Sequence, residues 1–149
     1  MVTDNNKRSF FRVSFRHPLG GEVKLIGWKD RNPDFLETKA AILDLSAGGA
    51  RILTAAPLPE EPGLLVELRF TALGVLYRPI GLVVRTLLPV EGQYEYSIQF
   101  SLNEPDTAAL TGMLNQLAIK LRKTPTPSNC SFCTEEELTA FHSLALGNS

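Results

Sequence analysis

Between Phe10 and Phe100 the sequence is a series of short apolar stretches separated by turn-forming residues, and this pattern limits the fold more than any other feature. In several stretches apolar and polar residues alternate, as in the run from Phe11 to Phe15. Alternation with a period of two places the apolar side chains on one face of a β-strand. Glycine, proline, asparagine and aspartate, which favour turns, lie between the stretches. The pattern therefore predicts successive antiparallel strands.

Seven strands can be placed, with turns between them. They cover Phe11–Phe15, Val23–Gly27, Thr38–Leu45, Ala50–Leu53, Val66–Phe70, Val75–Leu88 and Tyr94–Phe100. We expect a turn at 17–21 because this stretch contains proline and two glycines. Short strands with closely spaced turns favour a β-sandwich or a small barrel, since closure of a sheet removes its exposed edges.

The apolar period changes to that of a helix after the last strand. Leu110, Leu114, Leu117 and Leu121 follow the spacing of one helical face, which predicts an amphipathic helix over about residues 104–122. Residues 124–149 are predicted to form a linker and a helical tail. Within the tail, Thr134 and Glu137 make a capping-box pattern that favours a short second helix.

Composition and charge exclude several classes of protein. The 149 residues are 44% hydrophobic and 21% charged, which is ordinary for one globular domain. A formal net charge of -1 gives no general attraction to DNA, RNA or anionic lipid, so a phosphate ligand would need a local cluster of arginines. No signal peptide or membrane-spanning stretch is apparent, and we expect a cytoplasmic protein.

The cysteines and histidines give no sign of a metal site or of catalysis. Cys130 and Cys133 would close only a very small loop as a disulfide, so we expect reduced thiols. Tetrahedral zinc needs four ligands, and only His142 lies near the cysteines in sequence. We therefore predict no metal, no cofactor and no catalytic residue.

Two short motifs carry the candidate chemistry. The first contains Arg8 and Arg12, preceded by Lys7, at the entrance to the first strand. The second is the stretch Asp44-Leu45-Ser46-Ala47-Gly48-Gly49 at the end of the third strand. Asp44 and Ser46 are two positions apart on a strand, so their side chains project from the same face.

The second motif also contains a glycine pair. Gly48 and Gly49 are expected to supply a turn that tolerates positive φ and leaves the backbone open to close approach by a ligand.

A guanine nucleotide would fit these groups chemically. Guanine presents N7 and O6 as acceptors for an arginine fork, and its N1 and N2 donors can be accepted by a carboxylate such as that of Asp44. Guanidinium groups also pair with phosphate and stack on planar rings. The ligand-binding candidates are Lys7, Arg8, Arg12, Asp44, Ser46, Gly48 and Gly49.

The combination R-x-x-x-R with a later D-x-S-x-x-G resembles the signature of the PilZ family of cyclic di-GMP (c-di-GMP) receptors. The matching positions are Arg8, Arg12, Asp44, Ser46 and Gly49, and the resemblance covers residues 7–123. It implies a mainly β fold, a six-stranded antiparallel barrel followed by an α-helix. One of the seven predicted strands would then be an extra edge strand, or two would form one bent strand.

The resemblance also implies a function. An arginine arm, residues 1–12, would fold over c-di-GMP while the D-x-S-x-x-G turn holds a guanine from the barrel surface. The domain, residues 1–123, would relay the signal to an unidentified effector protein without catalysis. A basic residue at the position of Lys7 would favour binding of two c-di-GMP molecules rather than one.

Simpler interpretations of the same residues remain open. Arg8 and Arg12 could belong to a solvated basic arm, and Asp44 and Ser46 could satisfy backbone donors of a local turn. The alternative function is a PilZ-like adaptor that acts in pilus or flagellar assembly through protein contacts, without binding nucleotide. An enzyme acting on nucleotides is not favoured, because no metal cluster, nucleophile elbow or P-loop motif is present in the sequence.

Overall fold

The computed structural model describes residues 10–28, 36–59, 62–87 and 94–146. It contains seven strands: β1 (Arg12–Trp28), β2 (Leu36–Ser46), β3 (Gly49–Thr54), β4 (Leu64–Ala72), β5 (Val75–Tyr77), β6 (Ile80–Leu87) and β7 (Tyr94–Phe100). Two helices follow, α1 (Glu104–Leu121) and α2 (Glu135–Leu146).

Six of the strands close into an antiparallel barrel. The order around it is β1-β2-β3-β7-β6-β4, and pairing between β1 and β4 completes the circle. The long strand β1 makes closure possible, because Arg12–Leu25 pairs with β2 while Glu22–Trp28 pairs with β4. The short β5 pairs with β4 alone. The prediction of a six-stranded antiparallel barrel is thereby confirmed. Two of the predicted strands, Phe11–Phe15 and Val23–Gly27, form the single bent strand β1. The predicted strand Val75–Leu88 is divided into β6 and the extra edge strand β5.

The predicted turn at residues 17–21 is wrong, because β1 runs through this stretch as one bent strand. Its pairing with β2 shifts register between Ser14 and Leu19. A segment from beyond α1 supplies backbone partners there: Gly20 N–H donates to the carbonyl of Ser131 at 2.6 Å, and Ser131 N–H donates to the carbonyl of Thr71 in β4 at 2.9 Å. Residue 131 therefore bridges β1 and β4 where the two strands separate.

Alternating strand residues and one face of α1 form the hydrophobic core. In β4 the buried positions alternate strictly, and Leu64, Val66 and Leu68 are almost fully enclosed. Helix α1 begins after Asn103, whose side chain accepts a hydrogen bond from Asp106 N–H at 2.8 Å, and Pro105 occupies its first turn. Its buried residues, which belong to the same core as the strands, are Leu110, Met113, Leu114 and Leu117.

Helix α2 packs on the outer surface of the barrel. Its start has the predicted capping box: Glu137 N–H donates to Thr134 Oγ1 at 3.0 Å, and Thr134 N–H donates to Glu137 Oε1 at 2.8 Å. Phe141 is buried with Ala41 of β2 and Leu53 of β3 in a second, smaller apolar cluster. The last part of the chain thus covers a barrel face that is apolar rather than polar.

Candidate functional site

The β2–β3 hairpin presents the D-x-S-x-x-G motif on the barrel surface. A two-residue turn at Ala47 and Gly48 joins the strands, and the register pairs Ser46 with Gly49 and Asp44 with Arg51. Directly opposed side chains on neighbouring strands lie close enough to interact. An arginine is therefore placed beside the aspartate of the motif by the hairpin geometry alone.

Asp44 lies at the centre of a small charge network. Its Oδ2 accepts a hydrogen bond from Arg51 Nε at 3.0 Å, and Arg12 Nη1 lies 4.0 Å from Oδ1. The side chain of Asp44 is only 9% exposed. A charge-assisted hydrogen bond at this distance fixes the orientation of the carboxylate and compensates for its burial.

Arg51 connects Asp44 to a second carboxylate on the neighbouring strand β7. Arg51 Nη1 donates to Glu95 Oε2 at 3.5 Å, and the Glu95 side chain is 10% exposed. The hydrogen bond to Asp44 is the main reason why the pKa of Arg51 is raised above its ordinary value, with the Asp44 and Glu95 charges adding to it against a smaller effect of burial. We call Asp44, Arg51 and Glu95 the Arg51 cluster.

The serine and glycines of the motif shape the turn. Ser46 Oγ accepts a hydrogen bond from Gly48 N–H at 3.1 Å, which is the local turn contact that a serine commonly makes. The expectation of positive φ at Gly48 and Gly49 is wrong, since neither has φ in the left-handed region.

Glycine is required at position 49 because of backbone crowding, and glycine at position 48 leaves room for the Phe10 ring. A Cβ on Gly49 would lie 2.2 Å from the carbonyl oxygen of Ile98 on β7, and one on Gly48 would lie 2.9 Å from the ring of Phe10. The glycines therefore let strand β7 and the Phe10 ring approach the turn closely.

A groove of about 690 Å³ contains this network. Arg12, Asp44, Ser46, Gly48 and Gly49 all line it, so the structure brings together every predicted site residue that it describes. Lys7 and Arg8 lie outside the described residues. The chain enters the groove at Phe10, whose side chain is partly exposed beside the Gly48 turn.

Several groove residues were not predicted from the sequence. They are Arg51 and Glu95 of the network, together with Arg85, Ser97 and Gln99, which add polar groups to the wall. Arg51 could have been found, because a two-residue turn at Ala47 and Gly48 pairs it with Asp44. Glu95 could not, because its position depends on the pairing of β3 with β7.

The described residues form neither a metal centre nor a membrane-spanning helix. No group of three or more histidine, cysteine or acidic side chains among them is placed to hold a metal ion. Neither described helix is long and apolar enough to cross a membrane. The groove around Asp44 is therefore the candidate site, because the motif residues and several other polar side chains line it.

Comparison with known families gives a clear assignment. The sequence profile of the PilZ domain matches residues 6–116, which includes the barrel, the motif and most of α1. The chain therefore belongs to the PilZ domain family. No curated protein sequence matches it at a significant level.

Solved structures agree with the fold. The PilZ domain of Escherichia coli YcgR with c-di-GMP aligns with a TM-score of 0.52 and 15% identity, covering 80% of this chain and 98% of that domain. The Klebsiella pneumoniae MrkH complex with c-di-GMP aligns with a TM-score of 0.54 and 16% identity, covering 80% of this chain and 54% of MrkH.

A third solved structure with a similar fold is that of a protein named for a regulatory role. Bacillus subtilis MotI, described as an inhibitor of motility, aligns with a TM-score of 0.52 and 17% identity, covering 76% of this chain and 52% of MotI. This chain therefore spans about half the length of MrkH and MotI.

Proposed function

We propose that this protein binds c-di-GMP in the groove that contains Asp44 and relays the signal to a partner protein, without catalysis. The observation that carries the proposal is that Arg12 of the first motif and Asp44 of the second line one groove together with Arg51. Its volume of about 690 Å³ lies within the range of roughly 300–1,000 Å³ that is usual for small-molecule sites. Two of the solved structures that share the fold contain c-di-GMP.

Asp44 is the group that would read guanine. Its carboxylate has lone pairs beyond the one that Arg51 occupies, and these can accept the N1 and N2 donors of guanine. Because Arg51 holds the carboxylate from the side of β3, Asp44 is oriented before the ligand arrives, which lowers the entropic cost of binding. Arg51 is therefore a positioning residue for Asp44.

Arginines would bind the phosphodiester and the remaining base edge. Arg12 has a side chain that is 63% exposed, so it can leave its distant contact with Asp44 and pair with phosphate or with guanine N7 and O6. Arg85 offers a second guanidinium on the opposite wall. Lys7 and Arg8 precede Phe10 and Arg12 in the chain, and we assign them to the same site on the basis of the family motif.

The relay requires that ligand and partner favour the same state of the protein. A ligand shifts such an equilibrium only by the difference between its affinities for the two states. We assign the ligand-binding unit to residues 1–123 and give residues 124–149 no direct ligand contact. Since c-di-GMP is a bacterial second messenger, we place the protein in the cytoplasm, and the name of MotI suggests motility as the controlled process.

Isothermal titration calorimetry with c-di-GMP tests the proposal. The wild-type protein should bind, and Arg12→Ala or Asp44→Asn should each weaken binding by about 10- to 100-fold, since one good contact to a base edge contributes about 1–3 kcal/mol. Normal binding by both variants would refute the site. The stoichiometry of the wild-type titration also decides between one and two ligands per chain, and a value near two supports the role given to Lys7.

Arg16→Ala is the matched control. Arg16 lies on the same exposed face of β1 as Arg12, about 13 Å further along the strand at 3.3 Å per residue. This exceeds the Debye length of about 8 Å at physiological salt. The variant removes the same charge from the same strand, so its affinity should remain that of the wild type.

The adaptor function is the alternative, and one observation favours it. In the described structure Asp44 already bonds Arg51, and the Ser46 hydroxyl already bonds the turn backbone. Both side chains therefore have a structural role that needs no ligand. A folded wild-type protein that gives no binding heat with c-di-GMP would support the adaptor and exclude the receptor.

A further inference from the structure

A second groove lies between β1 and the C-terminal end of α1, and its polar side chains are predominantly basic. We call it the β1–α1 groove. It has a volume of about 460 Å³, and Arg16, His17, Arg122 and Lys123 line it. No aspartate or glutamate contributes to its lining. By contrast, the groove that contains Asp44, which we call the c-di-GMP groove after its proposed ligand, contains two carboxylates together with its arginines.

The basic residues of this groove have no acidic partners in the described part of the chain. Arg51, Arg69 and Lys39 each lie within 4.0 Å of a carboxylate on a neighbouring element. For Arg16, Arg122 and Lys123 no described carboxylate comes that close. Like charges that share a groove repel one another, so an anionic partner would bind here with a net electrostatic gain.

Helix stability explains only part of this cluster. Cations near a helix C-terminus interact favourably with the helix dipole, and that accounts for Arg122 and Lys123. It does not account for Arg16, which comes from the opposite wall. Arg16 follows Arg12 and Ser14 on the exposed face of β1, so one strand carries arginines into both grooves.

Apolar side chains give the groove a second feature. Phe15 is buried beneath it, and Leu121 and Ala118 are partly buried at its α1 side. Pro125 adds an exposed apolar residue to the lining. A partner that offers both carboxylates and an apolar side chain would match this combination.

The surroundings favour a short segment over an extended polyanion. His17 Nε2 donates to the carbonyl oxygen of Cys133 at 2.7 Å, so the groove adjoins the start of α2. The first turn of α2 carries three consecutive glutamates, residues 135–137. A short acidic segment can stay within the groove, whose lining includes none of these glutamates. A membrane surface or a nucleic acid would extend over them, and the net charge of -1 gives no compensating attraction.

We propose that the β1–α1 groove docks an acidic segment of a partner protein that also carries an apolar side chain. The proposal rests on the proposed function, because it gives the relay step a surface and a partner chemistry. Arg12 in the c-di-GMP groove and Arg16 in the β1–α1 groove share strand β1, so the two sites are contiguous along one element.

A random octapeptide display library selected on the full chain tests this. The selected peptides should be enriched in aspartate and glutamate and should retain an apolar residue. In fluorescence polarisation with a selected peptide, the double variant Arg16→Glu, Arg122→Glu should lose about tenfold or more in affinity through reversal of two contacts. Affinity for the wild type should also fall as salt rises.

Arg78→Glu is the matched control for charge reversal. Arg78 is an exposed arginine beside the N-terminal half of α1, at the other end of that helix. This variant should bind the peptide as the wild type does. Selected peptides without acidic enrichment, or equal affinity of the double variant, would overturn the proposal, as would tighter binding to phosphatidylserine vesicles or to single-stranded RNA than to the peptide.

Calorimetry separates this proposal from the proposed function. The double variant should bind c-di-GMP as the wild type does, because neither residue lines the c-di-GMP groove. Loss of peptide binding with normal c-di-GMP binding supports the β1–α1 groove. If the wild type does not bind c-di-GMP, the receptor function is refuted. The peptide result then still shows whether the β1–α1 groove is a docking surface.

Discussion

Arg51 and Arg69 both face carboxylates from neighbouring strands, yet their surroundings differ. In the Arg51 cluster the two carboxylates, on Asp44 and Glu95, are only 9% and 10% exposed. The side chain of Arg51 is itself 47% exposed and lines the groove that we propose binds c-di-GMP. The cluster thus combines nearly buried acceptors with an accessible donor.

Arg69 on β4 lies among more exposed carboxylates. Glu22, Glu37 and Glu67 surround it with side chains that are 48%, 26% and 20% exposed. Glu37 accepts the closest contact, from Arg69 Nη2. We call these four residues the Arg69 cluster, and it contains three carboxylates for one guanidinium.

Burial of the carboxylates and the balance of charge distinguish the Arg51 cluster from the Arg69 cluster. Nearly buried carboxylates lose much of their hydration, so each depends on its arginine far more than an exposed one does. The Arg51 cluster is close to neutral once Arg12 is counted, whereas Arg69 shares three carboxylates. Presence of an arginine with carboxylates is therefore not by itself a sign of nucleotide binding.

Removal of Arg51 should give the largest effect. Arg51→Ala leaves two nearly buried carboxylates without their partner, and we expect the free energy of unfolding to fall by about 1–3 kcal/mol. Affinity for c-di-GMP should fall at least tenfold in parallel, because Asp44 loses its fixed orientation. Urea denaturation and calorimetry at a temperature where the variant is fully folded measure both.

An unchanged stability with unchanged affinity would show that the Arg51 cluster is no different from a surface ion pair. Arg51→Lys is a useful companion variant, because a lysine keeps the charge without the planar fork. If orientation of Asp44 matters, this variant should recover stability more fully than it recovers affinity.

Double-mutant cycles should give the intermediate effect. The pair Asp44→Asn and Arg51→Gln should show a coupling free energy of about 1–2 kcal/mol, while Glu37→Gln and Arg69→Gln should show about 0.5 kcal/mol or less. The reason is that the carboxylate of Asp44 is nearly buried, whereas that of Glu37 keeps more contact with solvent. Equal couplings measured by urea denaturation would contradict the distinction based on burial.

The extent of prediction from sequence differs between elements. Helix α1 and strands such as β4 follow directly from apolar periodicity, because the spacing of buried side chains along each element is a local property of its sequence. The course of strand β1 does not follow from local periodicity, because Ser131 and Cys133, more than 100 residues later, supply the backbone partners of its bent centre. A stretch with proline and two glycines reads as a turn unless that distant segment is known.

The residues of the candidate site also differ in whether local sequence or distant contacts determine them. The shared face of Asp44 and Ser46 follows from strand geometry, and Arg51 follows from the length of the hairpin turn. Glu95 depends on strand order around the barrel, which no local pattern specifies. The reason for glycine at position 49 was likewise hidden, since the backbone of β7 that excludes a Cβ is about 50 residues away in sequence.

Removal of Arg69 should give the smallest effect. Arg69→Ala should lower the free energy of unfolding by about 0.5–1 kcal/mol, since exposed ion pairs contribute little, and part of this loss is repulsion among the three glutamates that remain. In about 1 M sodium chloride, where the Debye length is about 3 Å, the difference from the wild type should shrink. Affinity for c-di-GMP should stay at the wild-type value because Arg69 lies outside that groove. A loss of stability as large as that of Arg51→Ala, or one that salt does not reduce, would mean that exposure of the carboxylates does not determine how strongly each cluster supports the fold.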